Sequence, residues 1–156
     1  MKTLNPITEF QGEYCWLSNF YPCTVEMDFA YYPSVEHAYQ AAKTILPNIR
    51  MVLQNPTLPA GDAKKIGSGL KLPAMWEETK IRVMTQLVSQ KFLFNPELGA
   101  KLVATRGRDI IEGNYWGDTF WGVCRGKGQN HLGEIIMEIR DVLLEQWDKV
   151  YSGDIL

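Results

Sequence analysis

The stretch Asn130-His131-Leu132-Gly133-Glu134-Ile135-Ile136-Met137-Glu138-Ile139-Arg140-Asp141-Val142-Leu143-Leu144 decides how this chain is read. Leu132, Ile135, Ile136, Ile139, Val142 and Leu143 recur at steps of three and four, the repeat of one helical face. The spacing predicts a helix that opens at Asn130. Upstream, Asn95-Pro96 pairs an N-cap residue with proline at the first helical position, which predicts a helix to about Thr105. A longer helix is expected over Ala74–Phe92, with Ile81, Met84, Leu87 and Val88 as its stripe. Pro33-Ser34 starts another, capped by Ser34, with Val35, Ala38, Ala42 and Ile45 apolar. The irregular stretch Asn55–Pro73 is expected to hold a short helix over Asp62–Gly67.

Strand signals are weaker. Phe10–Pro22 reads as a strand followed by a loop. Thr24–Tyr31 alternates partly through Val25, Met27, Phe29 and Tyr31, as a half-buried strand would. Asp109–Glu112 and Phe120–Val123 are short strand candidates. The sum is an α+β class: a mainly helical, compact single domain with a few short strands, residues 1–156, its core about 10–147.

Composition supports a folded domain. The chain has 156 residues, is 46% hydrophobic and 22% charged, and carries a formal charge of -2. That length can bury a full core. The near-neutral balance disfavours a protein that holds nucleic acid mainly by long-range charge. No apolar run is long enough to span a membrane. The opening MKTLNPITEF lacks the apolar region of a signal peptide, so a cytoplasmic location is expected. Cys15, Cys23 and Cys124 form no CxxC pair and, with His37 and His131, show no zinc-ligand spacing, so no metal is expected. They are expected to be small, buried or semi-buried groups. The chain is rich in aromatics, with five Trp, seven Tyr and six Phe. Aromatics build cores and also stack on nucleobases. Trp147, on the last helix, is expected to pack.

Three stretches carry possible chemistry. On the helix after Ser34, Glu36, Gln40 and Lys43 share one face. This is either a catalytic row or a solvated face with a dipole-friendly Glu36. The run Gly113-Asn114-Tyr115-Trp116-Gly117-Asp118-Thr119-Phe120-Trp121-Gly122 either walls a pocket, with Asp118 on ribose hydroxyls or water, or makes a tight turn in which Asp118 closes an Asx-turn. Arg125-Gly126-Lys127-Gly128-Gln129-Asn130 runs into a helix start. It is either a phosphate cradle or a flexible turn with exposed cations. It has neither Walker A nor GxGxxG spacing. Trp76 is a core anchor or a stacking platform, and Ser18-Asn19-Phe20 suits ligand hydrogen bonding or loop closure.

Taken in order, these segments resemble the NADAR family, also called YbiA-like. The likeness rests on Ser18-Asn19-Phe20, on Tyr32-Pro33-Ser34-Val35-Glu36-His37-Ala38-Tyr39-Gln40-Ala41-Ala42-Lys43, and on Trp76-Glu77 with Val83-Met84. It continues through Lys91-Phe92, Asn95-Pro96-Glu97-Leu98, Ile111-Glu112, Tyr115-Trp116-Gly117-Asp118 and Gly126-Lys127-Gly128-Gln129-Asn130-His131-Leu132-Gly133, and ends with Met137-Glu138-Ile139-Arg140. It covers about Phe10 to Leu144.

The resemblance implies a compact, mainly helical α+β domain without metal or cofactor. It also implies an N-glycosidase that hydrolyses a C1′–N bond. The expected substrate is a small phosphoribosyl-aminopyrimidine of the early riboflavin route. The alternative is an ADP-ribosyl group on guanine in DNA or RNA. Glu36, Lys43 and Asp118 are the expected catalytic residues, with a lysine Schiff base from Lys43 as one route. Asn19, Phe20, Trp76, Tyr115, Trp116, Arg125, Lys127, Gly128 and Asn130 are expected around the substrate. One segment departs from some relatives: Thr119-Phe120-Trp121-Gly122-Val123-Cys124-Arg125 stands where theirs is short and Gly-rich, which bears on substrate choice. A non-catalytic ADP-ribose or NAD binding module is a competing class, as is a protein-interaction domain with aromatic hot spots.

Overall fold

A computed structural model describes residues 4–153. The ends of the expected 1–156 domain, including the first residues of MKTLNPITEF, lie outside the described residues. The chain divides into two compact units. One is formed by residues 4–15 and 92–153, the other by Trp16–Lys91.

The Trp16–Lys91 unit opens with a hairpin. Strand β1 (Val25–Met27) pairs antiparallel with β2 (Ala30–Tyr32), with Val25 opposite Tyr32 and Met27 opposite Ala30. The expected single strand over 24–31 is therefore two strands. Asp28 (φ 51°) and Phe29 (φ 63°) both take left-handed backbone, the geometry of a tight two-residue hairpin turn. The reversal puts Phe29 98% and Tyr31 66% in solvent.

Helix α1 (Val35–Ala41) follows, and Ser34 caps it as expected by accepting from the His37 N–H. It ends earlier than its apolar pattern suggested. The N–H groups of Lys43 and Thr44 turn back to Gln40 O and Ala41 O, a tightened last turn. Pro47 keeps Leu46 extended, at φ -71° and ψ 116°. Ile45 is left exposed rather than on the core face. Helix α2 (Pro47–Leu53), opened by that proline, was not expected. Helix α3 (Ala60–Ser68) is the short helix expected at 62–67, and α4 (Trp76–Leu93) the long one. On α4, Met84, Leu87 and Val88 are buried while Ile81 is exposed.

Both ends of α1 are pinned. His37 Nε2 donates to Leu58 O at 2.7 Å while its Nδ1 accepts from Ser34 Oγ at 2.6 Å. Arg50 Nε donates to Ala41 O and Thr44 O, beyond the last turn, and its guanidinium pairs with Asp28 at 2.8 Å.

In the other unit, α5 (Pro96–Val103) packs on α6 (His131–Ser152), and both are where the sequence puts them. Leu98, Leu102, Leu132, Ile135, Ile136 and Ile139 are buried. Val142 and Trp147 are exposed, and Trp147 stacks on Tyr151 at 5.7 Å instead of entering a core. The segment 109–112 makes one parallel bridge, Ile110 to Ile7, not a strand. The strand expected at 120–123 is β4 (Val123–Cys124), which lies parallel to β3 (Gly113–Asn114).

A 3₁₀ helix, Gly12–Leu17, stands where a strand followed by a loop was expected over Phe10–Pro22. Consecutive Trp16 and Leu17 are both buried, which the alternating faces of a strand would not permit. Cys15 is exposed, against the expectation of burial. Among the described residues, no helix is long and apolar enough to cross a membrane.

Candidate active site

The Trp16–Lys91 unit gathers Asn19, Phe20, Glu36, Lys43 and Trp76. Glu36 and Gln40, one turn apart on α1, are 7% and 3% exposed, so this face is not the solvated one. Gln40 Nε2 donates to Glu36 Oε1 at 2.7 Å. The Glu36 N–H also donates to Asn19 O at 3.1 Å, which ties the Asn19 loop to the start of α1. That loop is held from below by Lys91, a buried cation whose Nζ donates to Ser18 O at 2.7 Å. Asn19 Nδ2 reaches Met84 Sδ at 3.4 Å, and its Oδ1 is buried without a partner among the described residues.

Lys43 stands just past α1, its Nζ 5.3 Å from the Tyr39 ring centre and 6.0 Å from that of Trp76. Trp76 is 5% exposed and tilted against Tyr39 at 5.3 Å. It is a wall beneath the amine, not an open platform for a base. Burial pushes the Lys43 ammonium below its ordinary range. Glu36 opposes that shift, and Lys64 of α3 and Lys80 of α4 add to it. Lys80 also pairs with Glu77 at 2.6 Å. Phe20 is the half-exposed aromatic of this group, with Lys64 Nζ 6.0 Å from its ring centre. Lys64, Lys80 and Tyr39 were missed from the sequence. Lys80 was within reach, because it lies one turn after Trp76 and shares its face.

The remaining expected residues belong to the other unit. Asp118 Oδ1 accepts from the N–H groups of Phe120 (3.1 Å) and Trp121 (2.9 Å), the Asx-turn alternative. Asn114 brackets Asp118 through its own side chain. Tyr115 and Trp116 are exposed and meet edge to face at 5.3 Å.

Arg125 and Gly126 are the central residues of a tight turn closed by Cys124 and Lys127, with φ 52° and 76°. Both cations are exposed. Gly128, at φ 152°, lies so close to Gly122 O that a Cβ would collide with it. The helix start behind the turn is not an open anion cradle. The His131 N–H is spent on Phe120 O and the Leu132 N–H on Trp121 O. Asn130 is buried: its Oδ1 accepts from the Glu112 N–H at 2.9 Å and its Nδ2 donates to Ile110 O at 2.9 Å. Its side chain builds the loop and is not presented to a ligand.

A buried carboxylate bonded by an amide, beside an amine whose ammonium form burial disfavours, can stabilise a cationic sugar, activate water or attack an electrophilic carbon. Comparison with known proteins finds relatives of this chain. N-glycosidase YbiA of Escherichia coli K12 is 32% identical over 134 residues, covering 84% of this chain and 82% of that protein. A riboflavin biosynthesis protein of Vibrio vulnificus is 35% identical over 136 residues, 83% of this chain but 36% of its own length. A chloroplastic riboflavin biosynthesis protein of Zea mays is 35% identical over 144 residues, 23% of its length. The chain thus spans about a third of the length of the first of those larger proteins and about a quarter of the second. The NMR structure of E. coli YbiA superposes with a TM-score of 0.80 at 29% identity, covering 94% of this chain and 88% of that one. The NADAR domain profile matches residues 8–144. This chain, helical with a few short strands, belongs to the NADAR family.

Proposed function

We propose that this chain is an N-glycosidase that hydrolyses the bond between C1′ of a ribose phosphate and the amine of a small aminopyrimidine. The observation that carries the reading is the buried Glu36–Gln40 pair beside Lys43. The names of the relatives, N-glycosidase and riboflavin biosynthesis protein, support the reaction and the substrate class.

As the C1′–N bond breaks, its electron pair leaves with the amine and positive charge builds on the sugar. The Glu36 carboxylate stabilises that charge and takes a proton from the water that adds to C1′. The departing amine takes up a proton, so the sum is addition of one water. Phe20, exposed beside Asn19, stacks on the pyrimidine. The positive charge of Lys64 and Lys80, which acts on Lys43, suits an anionic group, and we assign the substrate phosphate to this end of α1. A neutral Lys43 amine also opens a second route: its nitrogen attacks C1′, and the C1′–N bond breaks with its electron pair and a proton leaving on the aminopyrimidine. The lysine-bound sugar opens to an imine, and water hydrolyses that imine to free Lys43.

The test is mass spectrometry of ribose phosphate release, with ADP-ribosylated guanine DNA assayed in parallel. Glu36→Gln should retain the fold and lose at least about 100-fold in kcat. Near-wild-type hydrolysis by that variant removes Glu36 from the mechanism. Release from the DNA alone would transfer the activity to modified guanine. Calorimetric binding of ADP-ribose without turnover of either substrate would make the chain a binding module. Borohydride under turnover traps a Lys43 adduct if the imine route operates.

A further inference from the structure

Gly67 lies inside α3, where glycine is unfavourable by about 1 kcal/mol relative to alanine. Its backbone is ordinary helix, so conformational freedom does not explain it. Space does. A Cβ on Gly67 would overlap Gln40 Oε1 and Cδ and sit 2.9 Å from Gln40 Cγ. The carboxamide is seated directly on the α3 backbone. Its orientation is fixed at the other end, because a carboxylate only accepts and Nε2 must therefore face Glu36. Oε1 is left against Gly67, buried and without a hydrogen-bond donor among the described residues. Such a group lowers stability. Methionine would fill the same slot without that cost.

We propose that Gly67 and Gln40 are positioning residues for Glu36: the gap at Gly67 admits the Gln40 carboxamide, which holds one carboxylate oxygen and so fixes the direction of the other. This rests on the functional reading only in giving Glu36 the chemistry. Lys43 follows α1, and Lys64 of α3 and Lys80 of α4 act on Lys43. From α2, Arg50 is engaged with Ala41 O, Thr44 O and Asp28, and the hairpin presents exposed Glu26.

The experiment uses the full chain with Gln40→Met, Gly67→Ala, Gln40→Ala and the double variant Gln40→Ala/Gly67→Ala. Three quantities are read: the Glu36 carboxyl titration by carbon-detected NMR, the melting temperature, and kcat and KM for phosphoribosyl-aminopyrimidine. Gln40→Met should melt within a few degrees of the wild-type temperature, because removal of the unpaired Oε1 offsets the lost hydrogen bond to Glu36. Its Glu36 midpoint should rise by about one unit, because the ionised form has lost a hydrogen bond. Its kcat should fall by about 10-fold or more with KM within about 3-fold. Gly67→Ala should move the midpoint the same way, and should cost melting temperature only while Gln40 is present. An unchanged Glu36 midpoint in folded Gln40→Met overturns the proposal, as does a Gly67→Ala cost that persists beside Gln40→Ala. Should Gly67→Ala not fold, Gln40→Met decides alone. Should the wild-type chain release no ribose, the functional reading falls while the midpoint still decides this one.

Discussion

Asn130 offers a measurement that separates a loop-building residue from a ligand-binding one. It stands at φ 55° and ψ 37°, left-handed backbone that asparagine tolerates better than most residues. Its side chain satisfies Ile110 O in a buried setting and the Glu112 N–H in a partly buried one. Asn130→Ala orphans both groups. The buried carbonyl should cost about 2 kcal/mol and the partly buried N–H about 1 kcal/mol. Placing alanine in left-handed backbone adds about 1 kcal/mol. The sum, about 4 kcal/mol, is about 12 °C of melting temperature for a chain of this size. Asn130→Gly loses the same bonds without the backbone cost and should recover about 1 kcal/mol of that. Urea unfolding followed by tryptophan fluorescence measures both, read alongside KM for the folded fraction. Variants within about 0.5 kcal/mol of wild type would refute the reasoning, because that is the range of an uninvolved surface residue. A raised KM at full stability would instead return Asn130 to the ligand.

Two further outcomes follow from the same geometry. Arg125→Gly relieves the left-handed backbone at φ 52° and should gain about 1 kcal/mol. With the phosphate assigned near Lys64 and Lys80, its KM should stay at the wild-type value; a several-fold rise would move phosphate binding to the 125–128 turn. Lys43 titrates below the ordinary 10.5 in the folded chain, chiefly because it is buried. Between the lowered value and 10.5 the unfolded chain holds the proton and the folded one does not, so stability rises with pH through that window. Below it, both states are protonated and the burial cost is fully present. Lys43→Met should therefore stabilise the chain at neutral pH and flatten that rise; parallel wild-type and variant unfolding curves across the window would contradict this.

What the sequence made legible depended on the range over which each signal acts. Helices α4, α5 and α6 carry apolar repeats or a proline start longer than any competing local preference, so their positions were readable. The hairpin was not, because its turn is Asp28-Phe29, without the glycine that marks such turns. Alternation across 25–31 looked like one strand although the chain reverses in its middle. Helix α2 hid because Ile45, Leu46, Met51 and Val52 are exposed, so its apolar residues do not trace a buried face. On α1, spacing aligned Glu36, Gln40 and Lys43, but whether that face meets water depends on α3, a partner distant in sequence.

That dependence is why spacing along α1 alone leaves the row ambiguous. A Glu-x-x-x-Gln pair on an isolated helix is a common solvated arrangement. It acquires chemical meaning only when another element covers it closely enough to exclude water, and close cover requires a neighbour without a side chain. Gly67 is that neighbour, and it sits in a stretch that reads as an irregular Gly- and Lys-rich loop. Burial also lowers the Lys43 ammonium below its ordinary range, beside the rings of Tyr39 and Trp76. In the proposed mechanism, the seating of α1 on α3 acts on the proton acceptor Glu36 through Gln40. A substitution at Gly67 that loosens that contact should therefore alter Glu36 by displacing Gln40.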